Sequence, residues 1–180
     1  VGDESLIGDL DVKVTGSDYR VILSGPLAFA EGETTLSPQA NPVLDFLAVR
    51  LSKVDNVARV EGHAADGPEE LAGADIRDLW HLSLLRALTV CDALAAPGRA
   101  VPEARLVAAG CGAARPRQPN DTPEGRAQNR RVEIVILDGF ETPGFWHDFF
   151  VGQKEGLTIR KFWEDSTFRH KEWRLTLPSH

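Results

Sequence analysis

The chain has 180 residues, 42% of them apolar and 26% charged. That is the length and composition of one globular domain, or of one domain with an appendage. It excludes a disordered tract and a disulfide-dense mini-fold, and no apolar run reaches the roughly 18 residues that span a bilayer. A net charge of −7, from 20 basic and 27 acidic side chains, argues against nucleic acid, which demands a basic footprint, and against anionic lipid.

In chain order, Val1 to Asp11 is acidic and polar, unlike a signal peptide or anchor. The absence of Met reads as a processed or excised piece. Val12, Val14, Tyr19, Val21 and Leu23 alternate around a Gly16-Ser17-Asp18 turn, which predicts a hairpin or two short strands. Ser37-Pro38 is a helix start, and Ala40, Val43, Leu44, Leu47 and Leu51 recur at helical spacing. Val57 to Glu61 reads as a strand and Gly62 to Gly73 as a loop. Ile76, Leu79, Trp80, Ser83, Ala87, Val90, Cys91 and Leu94 form a second stripe, predicting a helix over Asp75 to Ala95 that Pro97-Gly98 stops. A strand over Arg105 to Gly110, a loop over Gly112 to Thr122, a helical turn over Pro123 to Gln128 and a strand over Arg131 to Leu137 complete the pattern. The expected class is α/β, an α+β two-layer sandwich with βαβαββ order and helices on one face of a mixed sheet.

Composition steps near Asp138-Gly139. Residues 139–180 hold nine of the 13 aromatic side chains and six charges of each sign, so residues 1–138 carry the whole net charge. The expected organisation is a domain over 1–138 and an aromatic-rich extension over 139–180 that packs on it or holds a protein partner. The two cysteines, Cys91 and Cys111, lack zinc-type spacing. They read as buried apolar residues or, in an oxidising compartment, as one disulfide.

Three pieces carry the candidate chemistry. They are Gly62-His63-Ala64-Ala65-Asp66 at the end of a strand, Leu82-Ser83-Leu84-Leu85-Arg86-Ala87 on the second long helix, and Asn120-Asp121-Thr122 with Arg126 and Asn129-Arg130-Arg131-Val132-Glu133. Arg86 sits at the boundary of its apolar stripe. Such arginines present a planar fork that pairs with a carboxylate.

From Val21 to Leu137 these pieces resemble the OmpA-like domain family, the C-terminal domains of OmpA, Pal and MotB, and the MotB branch most. The resemblance rests on Phe29-Ala30-Glu31-Gly32 with Leu36-Ser37-Pro38, on Glu61-Gly62-His63, and on Trp80-His81-Leu82-Ser83 with Arg86-Ala87. Gly110-Cys111-Gly112 with Pro116 and the segment Asn120 to Glu133 extend it. It implies non-covalent binding of peptidoglycan through the free end of a diaminopimelate stem peptide, no catalysis, no cofactor, a periplasmic site attached to an inner- or outer-membrane protein, and dimers of the MotB type.

By the same resemblance Arg86 forks the ligand carboxylate and one of Arg130 and Arg131 adds a contact. Strand alternation sends those two side chains to opposite faces, and Arg130 is favoured. The family's Thr-Asp after Gly-His is Ala64-Ala65 here, so Asp66 is the substitute acid for the ammonium, and Leu79 stands where the family has Asn. Each site residue also has a structural reading. Arg86 can tie its helix to the loops, Asn129, Arg130 and Arg131 can fasten the closing segment, and Asp66 can be a solvated loop acid. Asp75 and Asp78 read as first-turn acids, Glu69-Glu70 as a solvated pair and His63 as packed at the strand end, and nothing supports a metal site. A hydrolase built from His63, Asp66 and Ser83 or Cys111 lacks any nucleophile motif. Two functions remain: a cell-wall anchor, and a degenerate domain kept as a protein-interaction scaffold through its extension.

Overall fold

A computed structural model describes residues 10–15, 18–71 and 75–137. The proposed extension over 139–180, its boundary and its packing lie outside the described residues. Five strands, β1 (Leu10–Thr15), β2 (Asp18–Ser24), β3 (Ala58–His63), β4 (Leu106–Gly110) and β5 (Arg131–Ile136), form one sheet in the order β1-β2-β5-β3-β4. β3 and β4 run parallel and the other pairs antiparallel. The sheet is therefore mixed, as expected. Three α-helices, α1 (Asn41–Leu51), α2 (Leu79–Ala95) and α3 (Pro123–Asn129), fill the connections.

Period-two alternation divides the sheet. Tyr19, Val21 and Leu23 of β2, Ala58 and Val60 of β3, and Val132, Ile134 and Ile136 of β5 share one face and join the core with α1 and α2. From the helices come Val43, Leu44, Leu47 and Leu51, and Ala87, Val90, Cys91 and Leu94. Both cysteines are free and buried, so the reading as small apolar residues holds and the disulfide does not.

Two boundaries differ from the sequence reading for identifiable reasons. Helix α2 begins at Leu79, because Asp78 stays extended and its carboxylate accepts from the His81 N–H at 2.7 Å, a side-chain N-cap. Asp78 is thus a cap rather than a first-turn acid, and Asp75 precedes the helix altogether. Pro38–Ala40 forms a separate 3-10 turn before α1. Pro42 has no N–H to return to Pro38, so one continuous α-helix would lack that bond. Ser37 makes no side-chain cap bond.

One close contact sets α2 on β3. A Cβ on Gly62 would lie 1.9 Å from the Ser83 carbonyl oxygen, so only glycine lets the strand and helix backbones approach this closely. Ser83 then locks the neighbouring connection: its hydroxyl donates to the Trp80 carbonyl and accepts from the Gly112 N–H. Among the described residues no helix is long and apolar enough to cross a membrane.

Candidate functional site

Four pieces of chain converge at the end of the sheet where β3 stops. They are the segment around Phe29 to Glu33, the 3-10 turn Pro68–Leu71 that follows β3, the first half of α2, and the junction of α3 with β5. Arg86 lies at their centre with no exposed surface. Its Nε donates to the Glu33 carbonyl at 2.9 Å, and Nη1 and Nη2 reach the carbonyls of His63 and Ala30 at 3.4 and 3.3 Å. Nη2 also donates to the Glu70 carboxylate at 3.0 Å, and the guanidinium carbon stands 5.4 Å from the centre of the Phe29 ring, a cation–π distance. Burial lowers the pKa of this guanidinium, and Glu70 opposes that shift.

Arg130 approaches from the other side. It follows α3, and its Nη1 lies 3.2 Å from the second Glu70 oxygen and 3.4 Å from the Glu31 carboxylate. The Glu70 carboxylate therefore bridges the two arginines, one oxygen to each. It is itself fully buried. Glu70 is not half of a solvated pair. It is the acid that a buried arginine requires, since a lone charge removed from water is prohibitively costly. The signal was present: Arg86 borders an apolar stripe, and the long segment between β3 and α2 holds adjacent acids.

The other site candidates separate. Asp66, read as the acid for the ligand's ammonium, is exposed, and its backbone N–H engages the Asn120 side chain; the acid against Arg86 is Glu70. Asn129 is fully buried and saturated. Its Oδ1 accepts from the Arg117 and Gln118 N–H groups, and its Nδ2 donates to the Gln118 carbonyl and Asn120 Oδ1. It fastens the loop before α3. Arg131 points to the sheet face away from α1 and α2, where it bonds Glu133 at 2.7 Å and the Arg115 carbonyl at 3.0 Å. Arg86 and Arg130 thus meet on Glu70, while Arg131 and Asn129 are engaged elsewhere.

That second sheet face carries a charge lattice the sequence reading missed. Arg20 pairs with Glu61 and Glu133, Arg59 with Glu61, and Arg131 with Glu133. Burial pushes the Glu133 carboxyl up most strongly, but the Arg131 hydrogen bond and charge, with His63 and the Arg20 hydrogen bond, together hold it below its ordinary value. His63 sits beside this lattice, packed at the strand end as expected, with neither ring nitrogen hydrogen-bonded. Burial first, and Arg131 second, depress the imidazole to about 4. The ring is therefore neutral near pH 7, and the Ser83 hydroxyl is engaged by the Trp80 carbonyl and the Gly112 N–H. The ligating atoms of Glu61, His63 and Cys111 do lie within 4.8 Å of one another. However, Arg59 and Arg20 already occupy both Glu61 oxygens, so a cation would have to compete with guanidiniums. The cluster is a counter-charged core.

The OmpA family matches residues 28–130, the span that contains both arginines and every element from the 3-10 turn Pro38–Ala40 to α3. The chain belongs to the OmpA family. Among its relatives, YfiB of Escherichia coli is 32% identical over 68% of this chain and 72% of its own length. Peptidoglycan-binding protein ArfA of Mycobacterium tuberculosis is 35% identical over 67% of this chain but only 35% of its own length. The chain therefore spans about a third of ArfA. Two solved structures superpose closely. The cell wall anchor of the type VI secretion system of Pseudomonas aeruginosa gives a TM-score of 0.65 at 30% identity, covering 73% of this chain and 90% of its own. A MotB-like protein of Desulfovibrio vulgaris gives 0.64 at 29%, covering 73% and 83%. The OmpA-family and MotB-like expectations and the mixed-sheet fold thus stand.

Proposed function

We propose that this OmpA-family domain is a non-catalytic cell-wall anchor of the periplasm. It binds peptidoglycan non-covalently and holds an attached membrane protein in place. The observation that carries this reading is the convergence of Arg86 and Arg130, from separate elements, on one carboxylate. A two-arginine seat is built for a carboxylate, and the free end of a diaminopimelate stem peptide offers one. Asp66, exposed at the exit of β3, is the acid available to the ligand's ammonium. Supporting it, ArfA is named for peptidoglycan binding and the Pseudomonas aeruginosa relative is a cell wall anchor.

The test is co-sedimentation with purified diaminopimelate-type sacculi. Arg130 is the informative position, because its side chain is 13% exposed and its loss leaves no deep cavity. Arg130→Ala should retain its fold and lose most of its sedimentation. Equal pelleting of the variant would overturn the assignment of the seat. The scaffold reading draws on one observation, the run of exposed Trp80, Leu84 and Leu88 along α2. It requires a folded wild type that does not pellet at all. A homodimer, and a protein partner for the extension, belong to the same proposal and are read by light scattering of the full chain.

A further inference from the structure

We infer that Glu70 is an internal ligand of the carboxylate seat, so that an external carboxylate enters only when the Pro68–Leu71 turn withdraws. This rests on the reading of the seat given above and deepens it by naming what regulates its access.

The seat is saturated. One Glu70 oxygen takes Arg86 and the other takes Arg130. The remaining Arg86 contacts go to three backbone carbonyls, so no bidentate face remains to offer. Access is closed as well, since Arg86 and Glu70 have no exposed surface. A ligand carboxylate therefore cannot be added to this arrangement; it must replace a carboxylate.

Replacement is chemically even. The incoming group has the charge and acceptor geometry of Glu70, so the two arginines exchange one partner for another and are never left unpaired in an apolar setting. What must be overcome is the hold of the turn. Among the described residues the turn has a local backbone bond, from the Glu70 N–H to the Gly67 carbonyl. Its long-range polar bonds are those of the Glu70 carboxylate. The side chain that fills the seat is also the tether of the turn that closes it. Ala64 and Ala65, both buried, carry no acid to Arg86 from the strand end.

Self-occupancy lowers apparent affinity by the fraction of molecules with an open seat. The full chain as wild type, Glu70→Gln and Glu70→Ala separates the possibilities, with two probes. The first is sodium acetate against sodium chloride of equal ionic strength, read as thermal midpoint. Acetate should raise the midpoint of Glu70→Ala saturably and leave wild type unmoved. If Glu70→Ala does not fold alone, its refolding yield in acetate against chloride reads the same exchange. The second probe is purified sacculi, which Glu70→Gln should bind about tenfold or more tightly than wild type. The inference is overturned if acetate acts no differently from chloride on Glu70→Ala. Where wild type pellets with sacculi, it is equally overturned if Glu70→Gln binds them no better, as a ligand-contacting or purely structural Glu70 requires. Acetate rescue without sacculus binding by any folded variant would instead refute the peptidoglycan reading and leave the internal carboxylate standing.

Discussion

Replacing Arg86 with alanine tests whether this arginine is a ligand group alone or also a keystone of the fold. Its place at the edge of the α2 stripe suggests from sequence that Arg86→Ala keeps the fold and loses only binding. The structure reverses that expectation. The substitution strands one oxygen of the fully buried Glu70 carboxylate, the other staying with Arg130, takes a donor from three backbone carbonyls and empties a volume against the Phe29 ring. Removing one partner of a buried ion pair costs about 3–5 kcal/mol, and carbonyls left without donors add to it. A loss of about 5 kcal/mol is a third or more of a domain's total stability. At about 3 °C per kcal/mol for a domain of this size, the midpoint should fall by roughly 15 °C. Urea denaturation reads this directly, as a lower midpoint at unchanged slope. If the stranded charge is the cause, Arg86→Met with Glu70→Gln should regain about 2 kcal/mol or more over Arg86→Met alone. An Arg86→Ala chain within about 1 kcal/mol of wild type would refute the reasoning.

Three further outcomes follow from other parts of the molecule. Gly62→Ala places a Cβ 1.9 Å from the Ser83 carbonyl oxygen, where backbone must move against backbone, so its cost should reach or exceed the ~1–3 kcal/mol of ordinary overpacking, read by thermal melting. His63 takes its proton near 6.5 when unfolded and only at about 4 when folded. Unfolding therefore takes up a proton within that window, and stability present above pH 6.5 falls by up to about 3 kcal/mol as pH drops to 4. Titrating the denaturation midpoint should show that slope in wild type and lose it in His63→Gln; a flat wild-type profile would count against the buried neutral imidazole. Burial first and Asp92 second push the Cys91 thiol up to about 11, and burial also raises Cys111. An aromatic disulfide reagent at pH 8 should therefore label neither thiol until the chain unfolds, and fast labelling of the native protein would contradict it.

The layout was legible because periodicity carried it. Val21 and Leu23, the α1 stripe, Ala87, Val90, Cys91 and Leu94 of α2 and the Val132-Ile134-Ile136 run each showed their period and each became core, whereas Trp80, read on the same α2 stripe, is exposed and Ile76 precedes the helix. What was not legible depended on partners distant in sequence. Nothing near Arg86 marks Glu70 rather than Glu69 or Asp66 as its acid, because a 3-10 turn in a loop sets which side chain turns inward. The second sheet face was missed for a related reason. Arg20, Arg59, Glu61 and Glu133 look like solvated strand positions one strand at a time, and only the β2-β5-β3 register makes them a lattice. Family resemblance located the arginines but carried an expectation of the acid that Ala64 and Ala65 cannot meet.

The closing segment shows how local geometry divides labour among three adjacent residues. Asn129 ends α3 and, wholly buried, ties down the loop before it. Arg130 lies at the C-cap, between helix and strand, and is set by neither period. Its carbonyl accepts from Gly25 while its side chain reaches Glu31 and Glu70. Arg131 is the first residue of β5, so the pleat assigns it to the face opposite Val132, and Glu133 repeats that face two residues later. The Asn-Arg-Arg run thus serves a loop, the Glu70 carboxylate and a charge lattice. The choice between its arginines follows from where the strand begins: Arg130 precedes the pleat and can reach the seat, and Arg131, already within it, cannot.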